Sequence, residues 1–352
     1  MTDTLKIYTT DFHVHRPEQL MSFLYQCYNK NIDVVVDIHL EGPCCTTIGL
    51  YQLLDTFCLI TGYAKSRISI ITANLIEQHA EYNIVRKSRC WYEVQEIQQW
   101  IKTNNYIDNF LPSKHFGNFI GRSTWYRLWI GSQLYKHHCD KTLQTFHSSF
   151  SCNYVVPPEN GVFDTLELDY LNQFGCDDIQ SVIEFLNDCP LIIDPADIVK
   201  AQQIKGYITA TNNQCYPLQH PANLMLEDYY RDIFVDIVCE TKTLGKSFFL
   251  TEKIWRPIIF KHPIILMSSI NTLKNLKRLG FKTFDQWWDE GYDDYSDQDR
   301  VREILKLVDT LSKWSVDQCH RTLIEMQDVL DHNYQVFCDL TYSKIDQLLN
   351  NE

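Results

Sequence analysis

Apolar residues along the chain fall into short unbroken runs separated by stretches of helical spacing, the pattern of an α/β protein. Lys6-Ile7-Tyr8-Thr9 predicts a first strand, and Leu20, Phe23, Leu24 and Cys27 then recur near helical intervals between Pro17 and Tyr28. Val34-Val35-Val36 is β-branched throughout, which suits a strand buried in a parallel sheet. A helical stretch from Ile48 to Tyr63 and a strand from Arg67 to Thr72 follow. Strands separated by helices of this length imply βαβ crossovers. The layout is Rossmann-like but has no dinucleotide fingerprint. A helical, peripheral stretch covers Ser88 to Leu111, and Pro112-Ser113 breaks the pattern.

A second unit opens with the strand Phe116 to Ile120, passes through Gly121-Arg122-Ser123-Thr124-Trp125-Tyr126-Arg127 and enters a helix through Leu134. From Ser148 to Gln219 the pattern is mixed and assigns no elements. Order returns with a strand at Ile233 to Val238, a helix from Ser247 to Lys261 and a strand at Pro263 to Met267. A short helix stops at Gly280. Ser296 then caps a helix running to about Leu311, and two further helices finish the chain.

A length of 352 residues suits two domains, and 45% hydrophobic with 22% charged residues is ordinary for a globular chain. The formal net charge of −13 provides no broad field for phosphates and counts against a nucleic-acid partner. The start has no basic stretch leading into an apolar one, so no signal peptide is expected. No apolar run approaches the ~20 residues of a membrane span. The expectation is a soluble, cytoplasmic protein without a membrane partner. Its 13 cysteines are odd in number, irregularly spaced and expected to be reduced. His137-His138-Cys139 sets three ligand types side by side, but neighbours on a helix point in different directions and do not share one metal.

The richest chemistry lies between Val238 and Leu266. A loop and a helix N-terminus follow a parallel strand there, which is where open α/β sheets bind ligands and where backbone N–H groups attract phosphate. In Thr251-Glu252-Lys253, Glu252 suits ribose hydroxyls and Lys253 a pyrophosphate. Gly245-Lys246-Ser247 ends like a P-loop, but Glu240 stands where the motif needs its first glycine, and a carboxylate there repels phosphate. Asp297-Gln298-Asp299 has a D-x-D shape, yet its place at a helix start makes it a cap. No metal is expected to be obligatory.

The run Phe249-Leu250-Thr251-Glu252-Lys253, followed by a helix and His262-Pro263-Ile264-Ile265, resembles the donor-binding segment of GT-B glycosyltransferases. It is most similar to the α-1,3-fucosyltransferase-like and exostosin-like groups, and to glycosyltransferase-like proteins of large DNA viruses and phages. Leu273 to Trp288 strengthens the viral resemblance, and Phe116 to Arg127 is similar to the strand-plus-arginine element opening their nucleotide domain. The match spans roughly 115–125 and 233–295 and departs from the fucosyltransferase pattern at Pro257 and Lys261-His262. It implies two Rossmann-like domains facing a cleft: an acceptor-side domain at 1–112, a donor domain at 113–313, and helices at 314–352 crossing back to the first. It also implies a nucleoside-diphosphate sugar as donor substrate, with Arg122, Arg127 and Lys253 towards its phosphates and Thr251 and Glu252 completing the pocket.

Chemistry in the cleft calls for a carboxylate or histidine within reach of the attacking hydroxyl if the transfer inverts. Asp11-Phe12-His13-Val14-His15 and Asp37-Ile38-His39-Leu40-Glu41-Gly42 follow the first two strands and supply Asp11, His13, Asp37 and Glu41. Asn74 and Glu77, after the third strand, are candidates for contact with the acceptor. Two rival readings share this layout. One is a nucleotide-binding protein without turnover. The other is an enzyme glycosylating hydroxylated bases of viral DNA, for which Lys114, His115, Arg122, Trp125, Tyr126 and Arg127 form the one basic, aromatic cluster.

Overall fold

Two four-stranded sheets, all of whose strands run parallel, organise the chain. The computed structural model describes residues 2–7, 13–14, 16–39, 42–87, 90–103, 111–120, 123–146, 166–189, 191 and 227–345. The first sheet has the order β1-β2-β3-β4, comprising β1 (Thr2–Lys6), β2 (Asp33–Ile38), β3 (Ile68–Thr72) and β4 (Asn83–Arg86). Helices α1 (Pro17–Lys30) and α2 (Leu50–Thr61) pack against each other. Their residues Leu20, Leu24, Leu54 and Phe57 bury against Val34, Val36, Ile68 and Ile70 of the sheet. Asn31 ends α1 in the left-handed conformation, which asparagine tolerates better than most residues.

Two strands of this first sheet depart from the pattern read in the sequence. β1 begins at Thr2, pairs Thr2 with Asp33 and Lys6 with Asp37, and is an edge strand exposed along most of its length. It therefore needs no apolar run to mark it. Tyr8 and Thr9 lie outside the described residues. β4 carries no signal either, because this edge strand has four residues and alternates between exposed and half-buried.

The second sheet has the order β6-β5-β7-β8, from β5 (Lys114–Ile120), β6 (Thr142–Phe146), β7 (Ile233–Cys239) and β8 (Ile264–Met267). Every residue of β7 and β8 is buried, which explains their unbroken apolar runs. After α3 (Cys90–Thr103) and α4 (Trp125–His138) come α5 (Leu166–Gln173), α6 (Ile179–Asp188) and the single turn α7 (Glu227–Tyr230). The chain continues with α8 (Glu252–Ile259), α9 (Thr272–Arg278), α10 (Asp297–Leu311) and α11 (Val316–Cys338). Ser296 precedes α10 as its N-cap, although its side chain makes no capping bond. No described helix is long and apolar enough to cross a membrane.

α8 and α11 pack together, with the rings of Trp255 and Phe337 5.3 Å apart. α3 joins this core through Val94 and Ile97, and Gln98 Nε2 donates to the carbonyls of Phe337 (2.8 Å) and Leu340 (3.0 Å). Just beyond, Tyr342 Oη donates to the Arg86 carbonyl at the end of β4, 2.9 Å away. The carboxy-terminal segment thus touches both sheets' surroundings.

The loop after β7 lies against the loops after β2 and β3. Gly245 has φ +66°, and a Cβ built there would stand 2.0 Å from Thr47 Oγ1 and 3.1 Å from Cys44 Cβ. Gly245→Ala is therefore expected to cost about 2 kcal/mol, from the left-handed backbone and the clash together. Urea denaturation measures the loss. Adding Thr47→Ala should return the steric part, and no recovery in the double variant would mean that backbone strain alone is responsible.

Candidate functional site

The sequence predicts a helix from Ser247, but α8 starts only at Glu252 because the preceding backbone is engaged elsewhere. Phe248 N donates to Asn74 Oδ1 (2.8 Å), and the Phe248 carbonyl accepts from Leu75 N (3.0 Å). Ser247 Oγ donates to the Gly42 carbonyl. These bonds tie 247–248 to the loops of the first unit. Gly42 makes the crossing close: a Cβ there would come within 2.8 Å of both Asn74 N and Phe249 Cβ.

The turn into α8 is built on Glu240, which immediately follows β7 and is completely buried. Its carboxylate accepts from Thr251 Oγ1 (2.6 Å), Thr251 N (3.1 Å) and Thr241 N (3.2 Å). Burial pushes the Glu240 carboxyl above the ordinary range, opposed by the Lys253 ammonium and the Thr251 hydrogen bonds. With its one proton directed at Glu240, the Thr251 hydroxyl turns its lone pairs to Lys253, accepting from Lys253 N (3.4 Å) and Nζ (3.0 Å). Lys253 Nζ also reaches Thr241 Oγ1 at 3.3 Å and Glu252 Oε1 at 2.8 Å. Thr251, Glu252 and Lys253 therefore form one cluster at the helix N-terminus. Burial would raise the Glu252 carboxyl, but the Lys253 ammonium and its hydrogen bond outweigh that and hold it below the usual range. Glu252 stays an anion, and Lys253 stays among two hydroxyls and a carboxylate.

Arg127 sits at the other side of the β7 end. It is buried, and its Nη2 donates to the carbonyls of Cys239 (2.9 Å) and Glu240 (3.1 Å). Tyr126 Oη also donates to the Glu240 carbonyl. This arginine braces the backbone under the loop. Arg122 lies outside the described residues. The basic, aromatic cluster read from the sequence is not an exposed groove: Trp125 and Tyr126 are fully buried, His115 Nε2 bonds the Trp314 carbonyl at 2.8 Å, and Lys114 Nζ donates to the Asp140 carbonyl.

Across from this cluster stand the loops after β2 and β3. Asn74 is buried and fully engaged in joining them to the second unit: Nδ2 donates to Glu77 Oε2 (2.9 Å) and to the Lys246 carbonyl (3.0 Å). Glu77 is also buried and accepts from Cys45 N (3.1 Å) and Tyr51 Oη (2.8 Å). Neither side chain is disposed towards solvent, where an acceptor would meet it. Asp37 is buried as well, and its Oδ1 accepts from both the backbone N and the ring Nδ1 of His39. Its carboxylate orients an imidazole instead of standing open as a base. His13 is exposed, and Asp11 and Glu41 lie outside the described residues.

No family model, curated protein or solved structure matches the chain. Function is therefore read from this geometry. Two residues of the site escaped the motif reading. Glu240 counted only as an obstacle to a P-loop, and His39 only as part of a loop. An Asp-x-His spacing at a strand end is the signal that finds the second.

Proposed function

We propose that the chain is a glycosyltransferase that moves a sugar from a nucleoside-diphosphate sugar to a hydroxyl acceptor, with no obligatory metal. The observation that carries this reading is the Glu240–Thr251–Lys253 arrangement. A buried carboxylate fixes a threonine, and the threonine fixes a lysine, at the N-terminus of the helix that follows a central parallel strand. Helix N–H groups and an ammonium together suit a diphosphate, and Glu252 beside them is an acceptor for ribose hydroxyls. Loops from the carboxyl ends of the other sheet touch the same segment. On this reading those loops supply the second wall that an acceptor needs. Lysine and helix dipole would then stabilise the leaving diphosphate. The burial of Trp125, Tyr126 and Arg127 speaks against the DNA-modifying alternative.

The test is a thermal-shift screen against UDP, GDP, CDP and their common sugar conjugates. One nucleotide class should stabilise the folded protein, by about 2.7 kcal/mol at a hundredfold excess over Kd. Lys253→Ala and Glu252→Ala should each reduce that shift, read against each variant's own ligand-free melting temperature. A folded protein that responds to no nucleotide would sink the proposal.

A further inference from the structure

We propose that His39 is the catalytic base of the transfer and that Asp37 is its positioning residue, an inference that rests on the glycosyltransferase reading above. Asp37 is the penultimate residue of β2, one strand in from the sheet edge, and its buried carboxylate holds His39 twice, through the backbone N at 3.0 Å and through ring Nδ1. A carboxylate on Nδ1 selects the neutral tautomer with its proton there. The lone pair is then on Nε2, at the ring edge farthest from Asp37. The histidine side chain is partly exposed, at 16%, whereas Asp37 is at 8%. A buried orienter and an accessible imidazole is the division of labour that base catalysis requires.

Position supports the same role. His39 and Gly42 are three positions apart in the chain, which limits their Cα separation to about 11 Å. Gly42 accepts from Ser247 Oγ, and its backbone lies against Phe249, two residues before Thr251. The loop opening at His39 therefore ends on the segment that carries the donor cluster. Of the carboxyl-end groups on the first sheet, Asn74 and Glu77 are engaged in internal bonds, and Asp37 is engaged with His39. In the same described loops His79 Nδ1 is occupied by the amides of Glu81 and Tyr82 and Glu81 is held by Lys65, which leaves His39 as the proton acceptor next to the Gly42 crossing.

The step balances as follows. The acceptor oxygen forms a bond to the anomeric carbon, and its proton passes to His39 Nε2. The bond from that carbon to the β-phosphate oxygen breaks, its electron pair stays on the oxygen, and the nucleoside diphosphate leaves. The Asp37 carboxylate stabilises the imidazolium until its proton reaches solvent. Attack opposite the leaving group inverts the anomeric configuration.

Release of nucleoside diphosphate from a panel of UDP-, GDP- and CDP-linked sugars, with water as acceptor, tests this without a known acceptor. His39→Gln should lower release by about 10²- to 10⁴-fold and leave the thermal shift with the free diphosphate at the wild-type value. Asp37→Asn should reduce release less. In histidine ¹⁵N spectra, with the His39 signal identified by its loss in His39→Gln, wild type should show the Nδ1–H tautomer and Asp37→Asn a mixture. Release within threefold of wild type in His39→Gln, or an Nε2–H tautomer in wild type, overturns the role of His39 and leaves donor binding standing. A folded wild-type protein that neither shifts with nucleotide nor releases diphosphate overturns the transferase reading, and the base with it.

Discussion

Arg256→Met is expected to destabilise the fold by about 3–5 kcal/mol at neutral pH, the range for removing one partner of a buried ion pair. Arg256 points from α8 into the second core, where it is 2% exposed. Its Nε donates to Tyr230 Oη at 2.8 Å, its Nη2 lies 3.8 Å from Asp236 Oδ2, and its guanidinium stands over the Phe119 ring. Tyr230 Oη in turn donates to Asp236. Methionine fills much of the volume but leaves the Asp236 carboxylate buried without its counter-charge. The sign of the pH effect follows from Asp236. Burial raises its carboxyl to about 6, although Arg256 and the Tyr230 hydroxyl pull it down. Between the ordinary value of about 3.9 and about 6, the folded state keeps a proton that the unfolded chain has lost. The contribution of this group to stability therefore falls as pH rises through that window and is level above it. Without Arg256 the carboxyl titrates higher still, so the variant goes on losing stability after wild type has levelled. Urea denaturation at about pH 5 and about pH 8 should show a small gap at the lower pH and the full gap at the higher. An equal gap at both would mean that lost packing, and not the ion pair, sets the cost.

Glu77→Ala is expected to cost a similar amount, about 3–5 kcal/mol, through a different mechanism. One buried carboxylate satisfies Cys45 N, Tyr51 Oη and Asn74 Nδ2, and hydrogen bonds to a charged group contribute about 1.5–3 kcal/mol each, less than additively when shared. The damage should not stay in the first unit. Asn74 loses a partner that fixes its amide, and that amide also holds the Lys246 carbonyl and the Phe248 N–H. Hydrogen exchange at the Phe248 amide should therefore quicken in Glu77→Ala relative to amides inside β8. Unchanged protection there would show that the clasp does not depend on Glu77.

The fold was legible wherever burial was two-sided. Ile233 to Cys239 and Ile264 to Met267 are buried along their whole length, and Val34 and Val36 are buried with Val35 between them half-buried, so their largely apolar composition gave these strands away. β1, β4 and β6 lie at sheet edges and carry polar residues that match turns as well as strands. The cluster at Thr251-Glu252-Lys253 was legible because helix capping acts through nearby residues in the chain. Glu240, 11 residues from Thr251, was not, since a side chain's partner across a loop leaves no periodic trace. The same holds for Asn74, whose bond to Lys246 spans 172 residues. Read locally it is a polar residue after a strand. In the fold it is a rivet.

That rivet bears on how the two halves can be exchanged. A boundary placed at Pro112-Ser113 cuts the chain at a sequence break, yet the loop leading into α8 takes its shape from Gly42, Thr47 and Asn74, all upstream of that cut. A chimaera that imports a foreign first half would present Gly245 and Ser247 with surfaces they do not fit, and the helix start at Glu252 would lose its reference point. The unit of transplantation is the second half together with residues 42–47 and 73–77.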